Sequence, residues 1–264
     1  MHIHQAKTPR ELSKQASLTG LVIVTCLVFL STAVLSWWTV ADSAVRWQAA
    51  SAAPVIVKAI AEGGARPLFA IEPTTALALL QRLAVKDRAP SRGYRREAFG
   101  EAWYDLDHNG CDTRNDVLRR DLQSPASVRG SPCQIASGLL HDPYTAKDID
   151  FQRGAETSSA VQIDHLVSLS DAWQKGAQQL TEAQRLSLAN DPLNLLAVDG
   201  PQNVEKGASD AAEWLPPQEN FRCNYVARQI SVKAAYGLWL SQAEKTAMLK
   251  VLSSCPQQMS WKAA

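Results

Sequence analysis

The sequence lacks any surplus of positive charge. Its 27 lysine and arginine residues are matched by 26 aspartate and glutamate residues, and the net charge is +1. A broad electrostatic footprint for nucleic acid is therefore absent, so any nucleic-acid binding must be local and weak at physiological salt. Histidine is also scarce, and beyond the N-terminus only His108, His141 and His165 occur. A zinc centre built mainly from histidines is therefore not available.

Charged residues are missing from the apolar stretch Leu18–Val40. This stretch is long enough to cross a bilayer. Lys7, Arg10 and Lys14 precede it in residues 1–17, which places the N-terminus in the cytoplasm. A transmembrane signal anchor and a cleaved signal peptide both fit this pattern. In either case the rest of the chain is expected outside the cytoplasm, membrane-anchored or secreted, and the N-terminal helix would make the membrane a partner.

The remaining chain divides into a linker and one domain. Residues 41–72 are rich in alanine, proline and glycine and are predicted to be a linker. Residues 73–264 are predicted to form the domain. Its pattern predicts an amphipathic helix over residues 74–85 and helical structure over residues 171–188.

Four cysteines lie in the predicted extracytoplasmic part: Cys111, Cys133, Cys223 and Cys255. An even number in an oxidising compartment predicts disulfides. Four cysteines allow three pairings, and we favour Cys111 with Cys133 and Cys223 with Cys255, because each pair falls within one local region. Zinc is the alternative, since His108 and Cys111 form H-x-x-C, but the other spacings do not make a paired zinc motif.

The loop "DLDHNGCDTRND" is rich in possible cation ligands. Asp105, Asp107, Asn109 and Gly110 match the first half of an EF-hand loop, and Asp116 falls at its twelfth position. A structural calcium site is one interpretation. An Asx-rich turn held by a disulfide is the other.

The stretch "VQIDHLVSLS" places Asp164 and His165 at the end of an apolar, β-branched run. A carboxylate can ligate a hard cation such as Mg²⁺, and a neutral imidazole beside it can take a proton from water. A structural histidine with an aspartate partner is the competing interpretation. The segment "NLLAVDGPQNVEKG" then supplies Asn194 at a strand, and Asn203 and Lys206 on or near a helix.

The order of strand with Asp-His, strand with Asn and helix with Asn resembles the ββα-metal (His-Me finger) arrangement of HNH nucleases. The resemblance implies that Asp164 and Asn203 are metal ligands and that His165 is the general base. It implies that Asn194 links the loop to the second strand and orients His165 through a backbone hydrogen bond, and that Lys206 either contacts phosphate or caps the helix region. The expected fold class is α+β, a mainly helical domain around a ββα-metal core at about residues 160–215, preceded by the transmembrane or signal segment.

Further motifs resemble the HNH family related to the C-terminal domain of GmrSD-type restriction enzymes. The resemblance covers roughly residues 75–255 and is carried by "GCDTRNDVL", "DPYT", "IDHLVSLSDAW", "NDPLNLLAVDG", "N–EKG" and "WLPP". It implies that Arg114, in the "DTR" segment, lies near the active site, where it would clamp phosphate. A surface salt bridge is the alternative interpretation of Arg114. Ser168 departs from the HNH pattern, which often has proline there.

The function implied by the resemblance is metal-assisted hydrolysis of phosphodiester bonds by an exported endonuclease. One Mg²⁺ or Mn²⁺ ion would be the cofactor, and DNA is a more probable substrate than RNA. Two alternatives stay open. The same fold could serve as a non-catalytic, calcium-stabilised envelope or adhesion module, or as a hydrolase for another phosphodiester.

Overall fold

The computed structural model describes residues 73–261. The predicted membrane or signal segment and the predicted linker lie outside the described residues. Within residues 73–261, no helix is both long and apolar enough to cross a membrane.

The described chain is an α+β structure, as predicted, with seven α-helices and five strands described. The helices are α1 (Ala76–Leu80), α2 (Thr113–Asp121), α3 (Leu169–Gln174), α4 (Glu182–Asn190), α5 (Gly200–Lys206), α6 (Glu219–Ala235) and α7 (Gln242–Leu252). The strands are β1 (Leu122–Ser127), β2 (Ile135–His141), β3 (Asp148–Gln152), β4 (Val161–His165) and β5 (Leu195–Asp199). Short 3₁₀ helices occupy Arg96–Phe99, Ser158–Ala160 and Ala177–Gln179.

The strands form two separate antiparallel sheets. The first has the order β1-β2-β3, and the second pairs β4 with β5. In the second sheet Asp164 lies opposite Leu196 and His165 lies opposite Leu195. The Asp-His pair is therefore at the end of β4, beside the start of β5.

Two apolar cores hold these elements together. The larger core joins the helices and includes Leu80, Val226, Ile230 and Met248. The smaller core lies among α2 and the strands and includes Phe151. Burial of such side chains contributes about 1.5–3 kcal/mol each to folding. Because β5 places residues in both cores and β4 places Val161 and Ile163 in the smaller one, the Asp-His pair lies beside two packed regions.

Two predicted helices differ from those observed. The helix predicted over residues 74–85 is observed only as α1. The chain then turns at residues 81–82, and Val85 forms a β-bridge to Leu240. The helical stretch predicted over residues 171–188 is split into α3, a 3₁₀ turn and α4. The split occurs at Gly176, whose φ of 123° is incompatible with a continuing helix and favours glycine.

Both predicted disulfides are present: Cys111 is bonded to Cys133, and Cys223 to Cys255. The first joins the segment before α2 to the segment before β2, and the second joins α6 to the chain after α7. The zinc interpretation of these cysteines is therefore wrong, because every sulfur that it would need is in a covalent bond.

Loss of either disulfide is expected to destabilise the domain by about 3–4 kcal/mol, because the closed loops of 22 and 32 residues no longer restrict the unfolded chain. Urea unfolding of the double variants C111S/C133S and C223S/C255S would measure this. The unmodified protein in reductant is the matched comparison. Unfolding midpoints equal to that of the oxidised protein would contradict the prediction.

Candidate active site

A strand–strand–helix unit forms the frame of the site. Helix α5 begins directly where β5 ends, because the Asp199 side chain accepts a hydrogen bond from the backbone N–H of Gln202 and caps the helix. Gly200 is required at this junction, since a Cβ atom there would lie 2.0 Å from the carbonyl oxygen of Ser159. In the sequence "VDGPQN", β5 therefore ends at Asp199 and α5 begins at Gly200. Helix α5 packs against β4.

Residues of β4 alternate between two faces of the small sheet. Gln162 and Asp164 contact residues of α5. Ile163 belongs to the smaller apolar core, and His165 contacts the end of α4. Asp164 and His165 are thus held by different elements, yet both line one polar cavity of about 460 Å³.

His165 is buried, and one of its ring nitrogens is fixed by the backbone. Nε2 lies 2.8 Å from the carbonyl oxygen of Ala189, which can only accept a hydrogen bond. Nε2 therefore carries the proton, and Nδ1 is left with a free lone pair. Burial, assisted by Arg96 and Lys206, lowers the pKa of His165 to about 4. The imidazole is therefore neutral at pH 7 and can accept a proton.

Asp164 is held by two buried donors. Its Oδ1 accepts a hydrogen bond from Lys206 Nζ at 2.9 Å, and its Oδ2 accepts one from the hydroxyl of Tyr144 at 2.5 Å. Burial and the negative charge of Asp164 raise the pKa of Tyr144 well above its ordinary value, so this hydroxyl stays protonated and donates. These bonds fix the orientation of the carboxylate next to the cavity.

Lys206 is fully buried, and its ammonium group also donates to the backbone carbonyl of His165 at 2.9 Å. The sequence analysis assigned it to a phosphate contact. Its position inside the protein suits a different task, because the ammonium group ties α5 to both residues of the Asp-His pair. Lys206 is therefore placed to fix the orientation of the Asp-His pair from inside the protein.

Asn203 lies on α5 and lines the same cavity as Asp164. Its Nδ2 donates to Gln162 Oε1 at 2.8 Å, so its Oδ1 remains available as an acceptor. Asp164 and Asn203 together offer carboxylate and amide oxygens, which are ligands that Mg²⁺ accepts. Each Asp164 oxygen accepts one hydrogen bond and has capacity for a second interaction.

This donor set fits one hard divalent ion held by two protein side chains. Within residues 73–261, no group of three or more His, Cys, Asp and Glu side chains is placed to hold a metal ion. The remaining ligands of such an ion would therefore be water and phosphate oxygens, an arrangement that Mg²⁺ often adopts.

Asn194 immediately precedes β5 and fixes the chain that follows His165. Its Oδ1 accepts from the backbone N–H of Val167 at 2.8 Å, and its Nδ2 donates to the carbonyl oxygens of Val167 and Leu188. It thereby joins the loop after β4 to the end of α4, where Ala189 holds His165. Asn194 orients the histidine indirectly, through these two backbone segments.

Arg114 lies on α2 and lines the polar cavity. It donates to the carbonyl oxygen of Val161 at 3.3 Å, and its guanidinium carbon is 5.9 Å from the centre of the Trp103 ring. Burial and the nearby Arg153 lower its pKa, while Asp112 opposes that change. A partly buried cation of this kind attracts an anion into the cavity.

The side chains proposed as calcium ligands, in the loop before α2 and at Asp116 within α2, form hydrogen bonds with one another and with the loop backbone. Asp105 accepts from the backbone N–H groups of Asn109 and Gly110, and Asp107 also accepts from Asn109. The Asn109 amide bridges Asp107 to Asp116. This is the Asx-rich turn that the sequence analysis gave as the alternative.

The chain is similar to one protein family and to a secreted protein. The family described as "GmrSD restriction endonucleases, C-terminal domain" matches residues 112–251, more than half of the chain. The chain belongs to this family. It is also 39% identical over 186 residues to an "Uncharacterized secreted protein" of Arthroderma benhamiae, and the match covers 69% of this chain and 85% of that protein. No solved structure matches the chain.

The GmrSD C-terminal family segment contains every residue that the sequence analysis placed at the nuclease site. Asp164, His165, Asn194, Asn203 and Arg114 all fall inside it, and the resemblance that predicted the family is confirmed. Four of them line the polar cavity. Asn194 does not line it, but binds the backbone of Val167, two residues after His165.

Three further residues of the cavity, Tyr94, Arg96 and Trp103, lie before the family segment, and sequence reasoning did not place them at the site. Arg96 is on the first 3₁₀ helix and Trp103 is in the loop after it, and both line the cavity beside His165. Their sequence neighbourhood has no periodicity and no motif. A positive φ cannot be read from the sequence either, and Trp103 has a φ of 60°.

Proposed function

We propose that this protein is a metal-dependent HNH endonuclease that hydrolyses phosphodiester bonds of DNA outside the cytoplasm, with low sequence specificity. The observation that carries the proposal is the state of His165. It is a neutral imidazole whose Nε2 is fixed by Ala189, and the residue lines a cavity shared with Asp164, Asn203 and Arg114. A non-catalytic binding module has no need of a base held in this way.

His165 is proposed to act as the general base. Nδ1 would accept a proton from a water molecule as that water attacks the phosphorus atom. General-base catalysis of this kind is typically worth about 10²–10⁴-fold in rate. A phosphate anion bound nearby raises the pKa of the imidazole from its low value toward the working pH, since a negative charge favours the protonated form.

Arg114 is proposed to hold the phosphate in the cavity. Its guanidinium can donate to two oxygens at once, which fixes orientation as well as charge. Lys206 and Asn194 are proposed as positioning residues. Lys206 binds the carboxylate of Asp164 and the backbone carbonyl of His165, and Asn194 binds the backbone of Val167. Neither side chain is proposed to contact water or substrate.

Asp164 and Asn203 are proposed to hold one divalent ion, Mg²⁺ or Mn²⁺. Such an ion supplies Lewis-acid stabilisation of the charge that develops on the phosphate and the leaving oxygen. The ammonium group of Lys206, 2.9 Å from Asp164, reduces the net negative charge that Asp164 offers.

Export is proposed from three independent features. The domain carries two disulfides, which persist in oxidising compartments. The relative from Arthroderma benhamiae is named a secreted protein. The apolar stretch of residues 18–40 is suited to a membrane anchor or a signal peptide. An alkaline phosphatase fusion after residue 60 would be active in a bacterial host if the chain is exported.

A nicking assay on supercoiled plasmid, with RNA degradation in parallel, tests the activity. Cleavage is expected with Mg²⁺ or Mn²⁺ and should stop with EDTA. Asn203→Ala is expected to raise the metal concentration for half-maximal rate by about tenfold or more, because it removes one of two protein ligands. The matched control is Val204→Ala on the same helix, whose side chain is 70% exposed.

The control variant should need the same metal concentration as the unmodified protein. Full cleavage in EDTA would refute the metal dependence. An unchanged metal requirement in Asn203→Ala, with cleavage intact, would remove Asn203 from the site while leaving the nuclease assignment in place.

A further inference from the structure

A second cavity of about 270 Å³ adjoins the polar cavity. The two cavities share Arg96, Trp103, His165 and Leu169 in their walls. The other wall residues of the second cavity include the apolar side chains of Phe99, Ala102 and Ala189. We call it the apolar cavity. It opens beside the proposed general base, but the proposed reaction does not account for it.

An unpaired amide oxygen lies in the wall of the apolar cavity. Asn190 is 1% exposed, and its Nδ2 donates to the carbonyl oxygen of Leu186 at 3.0 Å. The oxygen Oδ1 has no hydrogen-bond partner among the described residues. The opposite amide orientation would set two acceptors against each other at Leu186, so Oδ1 is the free atom. Buried polar atoms are normally paired, and this one, on a side chain that lines the apolar cavity, has no partner among the described residues.

Trp103 forms an aromatic wall between the two cavities. Its ring lies at 20° to the ring of His165, with centroids 6.2 Å apart. The backbone of Trp103 is left-handed, with a φ of 60°, which is costly for a bulky aromatic residue. Strained positions of this kind cluster at functional sites, and here the strain brings a large ring beside His165.

Charge divides the two cavities. Arg96 lines both cavities, but Arg114 lines only the polar one, while the exposed Glu97 and Glu101 line only the apolar one. A phosphate is therefore attracted to the polar cavity and repelled from the apolar one. A neutral, flat group with N–H donors fits the apolar cavity, its aromatic wall and the free Asn190 oxygen.

We propose that the apolar cavity binds the nucleobase next to the scissile phosphate, and that Asn190 Oδ1 accepts a hydrogen bond from the amino group of that base. The inference rests on the proposed nuclease function and names its substrate more closely. A base can enter only if it leaves its stack, so the substrate is single-stranded or locally unpaired nucleic acid. The amino group meant is the one at C6 of adenine or C4 of cytosine, the position at which guanine and thymine carry a carbonyl oxygen.

Nucleotide binding to the unmodified protein tests the pocket without any cleavage. The probes are the pairs dAMP with dIMP and dCMP with dUMP, since each pair differs where an amino donor is replaced by a carbonyl oxygen. By NMR titration, dAMP and dCMP should bind about tenfold more tightly than their partners, because the carbonyl leaves Asn190 unpaired. Equal affinity within both pairs, or no binding of any probe, would overturn the inference.

Variants then assign the selectivity to named residues. Asn190→Leu should abolish the difference between dAMP and dIMP. Trp103→Phe should keep most of the affinity for dAMP, whereas Trp103→Gly should lose it, although glycine suits the left-handed backbone. Retained selectivity in a folded Asn190→Leu variant would place the pocket elsewhere.

Cleavage of a random single-stranded DNA library separates this inference from the nuclease proposal. Sequenced ends should be enriched in adenine and cytosine at one position beside the cut, and Asn190→Leu should lose the enrichment. Active cleavage with an even base distribution would overturn the pocket and leave the nuclease. Selective binding of dAMP without cleavage would leave the pocket and overturn the nuclease.

Discussion

Replacement of His165 by alanine is expected to lower the initial rate of plasmid nicking by about 10²-fold or more. The reason is local, because among the described residues His165 is the only histidine that lines the cavity with Asp164 and Asn203. The overall fold should persist, since the lost contacts are one hydrogen bond to Ala189 and packing against Trp103. The measurement is the initial rate at several metal concentrations.

The matched control for this variant is His141→Ala. His141 lies on β2 with an exposed side chain that bonds to Asp148 and Gln123, away from the cavity. It should retain the unmodified rate. Circular dichroism and metal titration would show whether His165→Ala still folds and binds metal. If that variant cleaves DNA like the unmodified protein, the Asp-His pair is structural and the proposed function is wrong.

The second large effect is expected in the buried ion cluster between α3, α6 and α7. Lys175 is fully buried and lies 2.6 Å from oxygens of Asp171, Asp210 and Glu244. Lys233 pairs with two of the same carboxylates. Burial alone would raise the pKa of Asp171, but Lys233, Lys175 and Arg88 outweigh it and lower that pKa below its ordinary value.

Lys175→Met is expected to destabilise the domain by about 3–5 kcal/mol, because it removes the cation that contacts all three buried carboxylates and leaves them only Lys233 and the half-buried Arg88. Lys250→Met, at an exposed position on α7, is the control and should change stability by less than about 0.5 kcal/mol. Urea unfolding at pH 7 measures both. A Lys175→Met variant as stable as the control would show that the cluster does not hold the three helices together.

Local sequence was sufficient to predict the elements that carry the site. The β-branched run ending in Asp164 and His165 indicated a strand, and "DGPQN" indicated the start of a helix, because strand alternation and capping are decided within a few residues. The disulfide pairing was also predictable, since each cysteine pair lies within one local region. The family followed from the same short motifs.

The sequence alone did not predict roles that depend on contacts between residues far apart in the chain. Ser241 and Glu244 have the sequence spacing of a capping box, in which the Glu244 side chain would bond to the backbone N–H of Ser241. The Ser241 hydroxyl does accept from the Glu244 backbone, but the Glu244 carboxylate turns inward to Lys175 and Lys233. Two buried ammonium groups outweigh one exposed backbone N–H as partners for a carboxylate.

The sequence by itself determined which residue types stand at the ends of β4, β5 and α5, and so the chemistry that they can perform. The tertiary structure alone decided their states. It brought Ala189 to His165 and so fixed the tautomer, buried Lys206 against Asp164, and added Arg96 and Trp103 from outside the family segment. The physical reason is that protonation, desolvation and cavity shape depend on groups far apart in the chain, which only folding brings together.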